Sequence, residues 1–78
     1  MTIKILGFGH PDYQKLEDNV KYALRQLNKD VPVEKVSKIS EIMYYNVRGV
    51  PALVVNDRIV GYGNMLWEGI KKILSNAK

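Results

Sequence analysis

No cysteine occurs in the 78 residues, and there is a single histidine. A chain like this can be held neither by a disulfide nor by a structural zinc site, which needs four thiolate or imidazole ligands. A chain of this length also buries only about 60% of the surface it exposes when unfolded. The fold must therefore rest on one compact apolar core, and hydrophobic residues supply an ordinary globular share of 46%. One domain spanning residues 1–78 is expected. The opening Met1-Thr2-Ile3-Lys4-Ile5-Leu6 is too short and interrupted for a signal peptide, and no run approaches the ~20 apolar residues of a membrane helix. A cytoplasmic protein without membrane contact is the expectation. The net charge is +4, but the twelve basic residues are scattered among eight acids, and only Lys71-Lys72 are adjacent. Scattered lysines read as solvated surface, so nucleic acid is not an expected partner.

Periodicity divides the chain. Residues 2–6 form a short β-branched apolar run, a strand, which Gly7-Phe8-Gly9 breaks. From Pro11 to Asn28 the pattern is helical, with Leu16, Val20, Ala23, Leu24 and Leu27 on one face. Asp12 suits the positive end of that helix, and Glu17 stands four residues before Lys21, a supportive ion-pair spacing. Residues 31–36 predict a second strand, with Pro32 at its beginning or on an edge. A short helix over 38–45 follows, capped by Ser37 or Ser40, given an apolar face by Ile39, Ile42 and Met43, and ended by Asn46 in the left-handed conformation. Ala52–Val55 and Arg58–Tyr62 flank Asn56-Asp57, which predicts a hairpin. A last helix is expected from a cap at Asn64 through Asn76, with Leu66, Trp67, Ile70, Ile73 and Leu74 on one side. The order is β-α-β-α-β-β-α. The first strands each feed a helix, which favours parallel pairing by right-handed crossover, and the last two pair antiparallel. The fold class is α/β: a mixed four-stranded sheet flanked by helices.

The residues carry a resemblance beyond this order. Met1 through Gly7, Lys15-Leu16-Glu17-Asp18-Asn19-Val20, Val33-Glu34-Lys35-Val36, Glu41-Ile42-Met43, Gly49-Val50-Pro51-Ala52-Leu53-Val54-Val55-Asn56 and Glu68 through Leu74 follow one another as in a known family. In order and spacing the whole chain resembles the small archaeal and bacterial thioredoxin-like, glutaredoxin-like proteins often called small redox-active disulfide proteins. The resemblance implies a thioredoxin-like fold. It also implies a loop after the first strand in which the family carries Cys-Pro-x-Cys. Here that loop reads His10-Pro11-Asp12-Tyr13, with both cysteines replaced and the proline kept. Family members reduce disulfides through a thiolate of depressed pKa at the helix N-terminus, and a second thiol resolves the mixed disulfide. Imidazole and phenol do not perform that reversible exchange, so thiol–disulfide oxidoreductase activity is not expected, and no catalytic residue, cofactor or metal is assigned.

What remains is a surface. The helix N-terminus at Pro11 offers unpaired N–H groups, with Gly7 and Gly9 beside it. The resemblance implies that Val50-Pro51 is cis, lies beside the loop, and presents backbone groups to an extended peptide. Phe8, Tyr13, Tyr44, Tyr45, Tyr62 and Trp67 form an aromatic set, of which Phe8 and Tyr13 fall near the loop. Core and rim packing is the plainer account of those rings, of Trp67 above all. Tyr44 and Tyr45 are neighbours on a helix, so one of them at most points inward. The expected function is a redox-inactive binding module for a peptide or protein partner, using His10, Pro11, Asp12 and Tyr13 together with Val50 and Pro51. The alternatives are a thiol-independent enzyme using His10, and a dimeric scaffold in which the partner is a second copy of the chain.

Overall fold

The computed structural model describes residues 1–77. The elements run β1 (Ile3–Leu6), α1 (Pro11–Gln26), β2 (Val33–Val36), α2 (Ile39–Tyr44), β3 (Ala52–Val55), β4 (Arg58–Tyr62) and α3 (Trp67–Asn76). The strands form one sheet in the order β2-β1-β3-β4. β1 and β2 pair parallel, with Lys4 opposite Glu34 and Ile5 opposite Lys35. β1–β3 and β3–β4 pair antiparallel. Parallel pairing is thus confined to β1 and β2, because α2 and the loop after it carry the chain past β1 and return β3 in the opposite direction. Among the described residues no helix is long and apolar enough to cross a membrane.

The alternation of side chains along β1 and β3 divides the core into two layers. Ile3, Ile5, Leu53 and Val55 point to one face, where Leu16, Val20, Ala23 and Leu24 of α1 and Ile70 and Leu74 of α3 cover them. Leu6, Ala52 and Val54 point to the other, where Val36 and Ile42 meet them in a smaller cluster. Eleven of these side chains, from Ile3 to Leu74, are essentially inaccessible to solvent. Each buried leucine or isoleucine contributes about 1.5–3 kcal/mol over its exposed state, which is how a chain without staples holds together. α1 and α3 also meet through aromatic rings, with Tyr22 and Trp67 edge to face at 4.9 Å.

Turn chemistry agrees with the sequence where a positive φ is required. Asn46 (φ 58°) follows α2, and Asn56 and Asp57 (φ 51° and 64°) turn the hairpin, the primed geometry that matches strand twist. Helix starts differ from expectation. α2 begins after Lys38 and α3 after Leu66, and neither has a side-chain cap. Ser40 lies inside α2, and Asn64 lies two residues ahead of the Leu66 cap position. Leu66 is exposed and leaves the packing face of α3 to Ile70 and Leu74, with Trp67 and Ile73 half-buried. Pro32 precedes β2 and costs the edge strand no ladder bond.

Candidate functional site

The loop between β1 and α1 folds on itself over very few residues. The Gly7 N–H donates to the Val36 carbonyl at 3.0 Å, tying the end of β1 to β2. The His10 N–H donates to the Phe8 carbonyl at 2.6 Å, and the Tyr13 N–H to the His10 carbonyl at 2.9 Å. His10 is the N-cap of α1, and its Nδ1 accepts the Asp12 N–H at 3.1 Å. Pro11 occupies the first turn, where a missing N–H costs no helical bond. The Asp12 carboxylate lies 3.7 Å from the same Nδ1, and both side chains are solvent-accessible. No third ligand-type side chain joins His10 and Asp12 among the described residues.

Tyr13 turns the other way. Its ring packs on the α1–α3 core layer and beside Gly7. Burial, and then the nearby Glu17 carboxylate, push its phenol above the ordinary tyrosine range. Gly7 has φ +148°, and a methyl group there would stand 3.0 Å from Tyr13 Cδ1 and 3.3 Å from Pro51 Cα. The absent side chain is what lets the loop, the first turn of α1 and the Pro51 segment close on one another. The Val50–Pro51 peptide is cis. Pro51 is buried, and its carbonyl accepts the Gly63 N–H at 2.7 Å. Val50, immediately before it, is 43% exposed, and Phe8 is 51% exposed.

The predicted residues therefore separate into two roles. Tyr13 and Pro51 form the floor that joins the two loops, while His10, Phe8 and Val50 face solvent around it. Pro11 is exposed and Asp12 half-exposed. Other predicted aromatics lie elsewhere: Trp67 on α3, Tyr44 at the end of α2 and Tyr45 just after it, where Tyr45 is half-buried and Tyr44 is 83% exposed.

One turn beyond Tyr13 along α1 lies a group that sequence reading placed only in part. Glu17 is 3% exposed, and its carboxylate stands 3.2 Å from Lys21 Nζ and 3.3 Å from Lys35 Nζ. Burial alone would raise its pKa. The hydrogen bonds from Lys21 and Lys35 outweigh that and hold it below the ordinary glutamate range. The Lys21 partner was legible as an i,i+4 pair. Lys35 was not, because it reaches Glu17 from β2, where it stands opposite Ile5 on the face that α1 covers.

The comparisons with known proteins agree with this geometry. Residues 1–75 match the family model described as a thioredoxin domain. A thioredoxin of Methanothermobacter thermautotrophicus is 34% identical over 76 residues, an alignment covering 96% of this chain and 99% of the relative. On both grounds, and with the mixed four-stranded sheet and three helices described above, the chain belongs to the thioredoxin-domain family.

Proposed function

We propose that this thioredoxin-like domain is a redox-inactive binding module that recognises a peptide or a protein segment through the His10–Tyr13 loop and the Val50-Pro51 loop. The observation that carries the reading is the closure at Gly7. The Tyr13 ring and Pro51 backbone both lie against that glycine, so two loops distant in sequence share one surface. Around this fixed floor Phe8 and Val50 expose apolar area, and His10 adds a polar rim. A rigid apolar centre with a polar edge is the usual anatomy of a recognition patch. The loop supplies no thiol for exchange with a bound disulfide, so contact is the role left to it.

A random peptide library displayed on phage and selected on the immobilised domain tests this. Selected peptides are expected to lose about tenfold or more in affinity to Phe8→Ala and Val50→Arg, both exposed positions whose replacement leaves the core intact. Peptides whose binding survives both Tyr13→Ala and Val50→Arg, or a selection that yields no binder, overturn the reading.

A further inference from the structure

The sheet face opposite α1 and α3 is only half covered. α2 is six residues long and buries one side chain, Ile42. Lys4 lies in the gap, on the central strand between Ile3 and Ile5, opposite Glu34 on β2 and Val54 on β3. A fully covered sheet carries an apolar side chain at such a position. The result is an open cleft of about 370 Å³ bounded by Lys4, Tyr44 and Tyr45, with Glu34 and Glu41 among its lining residues. A neighbouring hollow shares the same lysine and tyrosines and extends to Asp57 and Ile59. The two tyrosine rings meet edge to face, 5.4 Å between centroids.

Charge decides what fits. The Lys4 ammonium is already engaged: it donates to the Tyr45 hydroxyl at 3.0 Å and lies 4.0 Å from the Glu34 carboxylate. The Tyr45 hydroxyl, and then the Glu34 and Asp57 carboxylates, hold it above the ordinary lysine range. Against this one cation stand two carboxylates in the cleft, Glu34 and Glu41, and a third, Asp57, in the neighbouring hollow, so the two together are acidic on a chain whose net charge is +4. An anion entering here would meet more acids than bases, and a lysine whose ammonium is already engaged. A cation would meet the acids and the open face of Tyr44. A guanidinium fits this pair of features better than an ammonium, because it lies flat on an aromatic ring while its fork of donors meets carboxylates.

We propose that this cleft is a second recognition site, which takes an arginine side chain from a basic peptide segment of a partner protein, the guanidinium resting on Tyr44 and donating to the surrounding carboxylates. None of its residues belongs to the His10–Tyr13 or Val50-Pro51 loops, so it stands or falls independently of the function proposed above.

The test is an NMR titration of the ¹⁵N-labelled domain, at low salt, with a blocked peptide alternating arginine and glycine, beside the same peptide with citrulline in place of arginine. Shifts are expected at Lys4, Glu34, Tyr44, Tyr45 and Asp57 and not at His10–Tyr13. The citrulline peptide, which keeps the shape without the charge, is expected to bind about tenfold or more weaker. Tyr44→Ala and the pair Glu41→Gln with Asp57→Asn, all at exposed positions, are each expected to weaken binding several-fold, as is added salt. Equal binding of both peptides, shifts outside the cleft, or affinity unchanged in Tyr44→Ala overturns the proposal. So do shifts of these same residues on concentrating the domain alone, which would make a second copy the occupant.

Discussion

The imidazole Nδ1 of His10 accepts the backbone N–H of Asp12 at 3.1 Å, so a histidine caps the helix that opens at the candidate site. Serine, threonine, aspartate and asparagine are the usual residues for this work. An accepting Nδ1 requires that the neutral ring carry its proton on Nε2. The ¹⁵N and ¹³C shifts of the ring at alkaline pH are expected to report the Nε2–H tautomer. Loss of the cap in His10→Ala is expected to cost about 0.5–1 kcal/mol in urea denaturation, and His10→Asp is expected to restore it. A ring found as the Nδ1–H tautomer, or an alanine variant as stable as the parent, contradicts the cap.

Glu17 gives the domain a defined acid sensitivity. Its carboxylate is buried, and the hydrogen bonds of Lys21 and Lys35 hold its pKa below the unfolded value despite that burial. With the folded pKa the lower of the two, the ionised form favours the fold. Its contribution is complete above the unfolded value of about 4.3 and is lost as pH falls through the folded value. Unfolding free energy measured against pH is therefore expected to drop below about pH 4.5, with a shallower drop in Glu17→Gln. At neutral pH that variant is expected to be less stable by about 1–2 kcal/mol, the worth of charge-assisted bonds in a buried site. Identical pH profiles for the two proteins would remove Glu17 from this role. Lys35→Met is a second probe, since it breaks the contact from the strand side and leaves the i,i+4 partner in place.

Much of this architecture was legible because apolar periodicity and turn chemistry act locally. The inward Leu16, Val20, Ala23 and Leu24 of α1, the hairpin at Asn56-Asp57 and the stop at Asn46 are local statements, and local rules suffice for them. The helix caps were misjudged for the same reason. Ser40 and Asn64 are good capping residues, but α2 begins at Ile39 and α3 at Trp67 without a side-chain cap. The direction of β3 against β1 was not legible, since a strand after a helix pairs parallel by default, whereas β3 runs antiparallel to β1. At the site, the loop residues were found from the motif they interrupt. The closure of Tyr13 and Pro51 over Gly7, the reach of Lys35 to Glu17, and the hydrogen bond of Lys4 to Tyr45 are contacts between distant segments. No spacing announces them.

Gly7 and Gly9 separate backbone strain from crowding. Both have positive φ, +148° and +51°. An added Cβ at Gly9 meets nothing within 4 Å, whereas at Gly7 it meets the Tyr13 ring and the Pro51 backbone. Gly9→Ala therefore carries conformational strain alone, about 1 kcal/mol. Gly7→Ala adds crowding against a buried proline, and a total of about 2–4 kcal/mol is expected. Chemical denaturation of the two variants checks the order. A Gly7 variant no worse than the Gly9 variant would mean that the two loops are not closed on one another as described.

The last prediction concerns the chemistry that the chain lacks. With dithiothreitol present, the domain is expected to leave the rate of insulin reduction at its background value, because it offers no thiolate to attack sulfur. Acceleration would refute the chemical argument itself. The double variant His10→Cys with Tyr13→Cys asks whether the framework is still fit for exchange. Position 10 is exposed at the helix N-terminus, where a thiolate is stabilised, and position 13 lies one turn on, its N–H donating to the carbonyl of residue 10 at 2.9 Å. Dithiothreitol-dependent insulin reduction is expected to appear in the double variant and not in either single variant, since release of the mixed disulfide needs both thiols. Removing the Tyr13 ring also opens space beside Gly7, so the variant's unfolding must be measured alongside. A double variant that folds and stays inactive would show that this loop differs from an exchange-competent one in more than its two missing thiols.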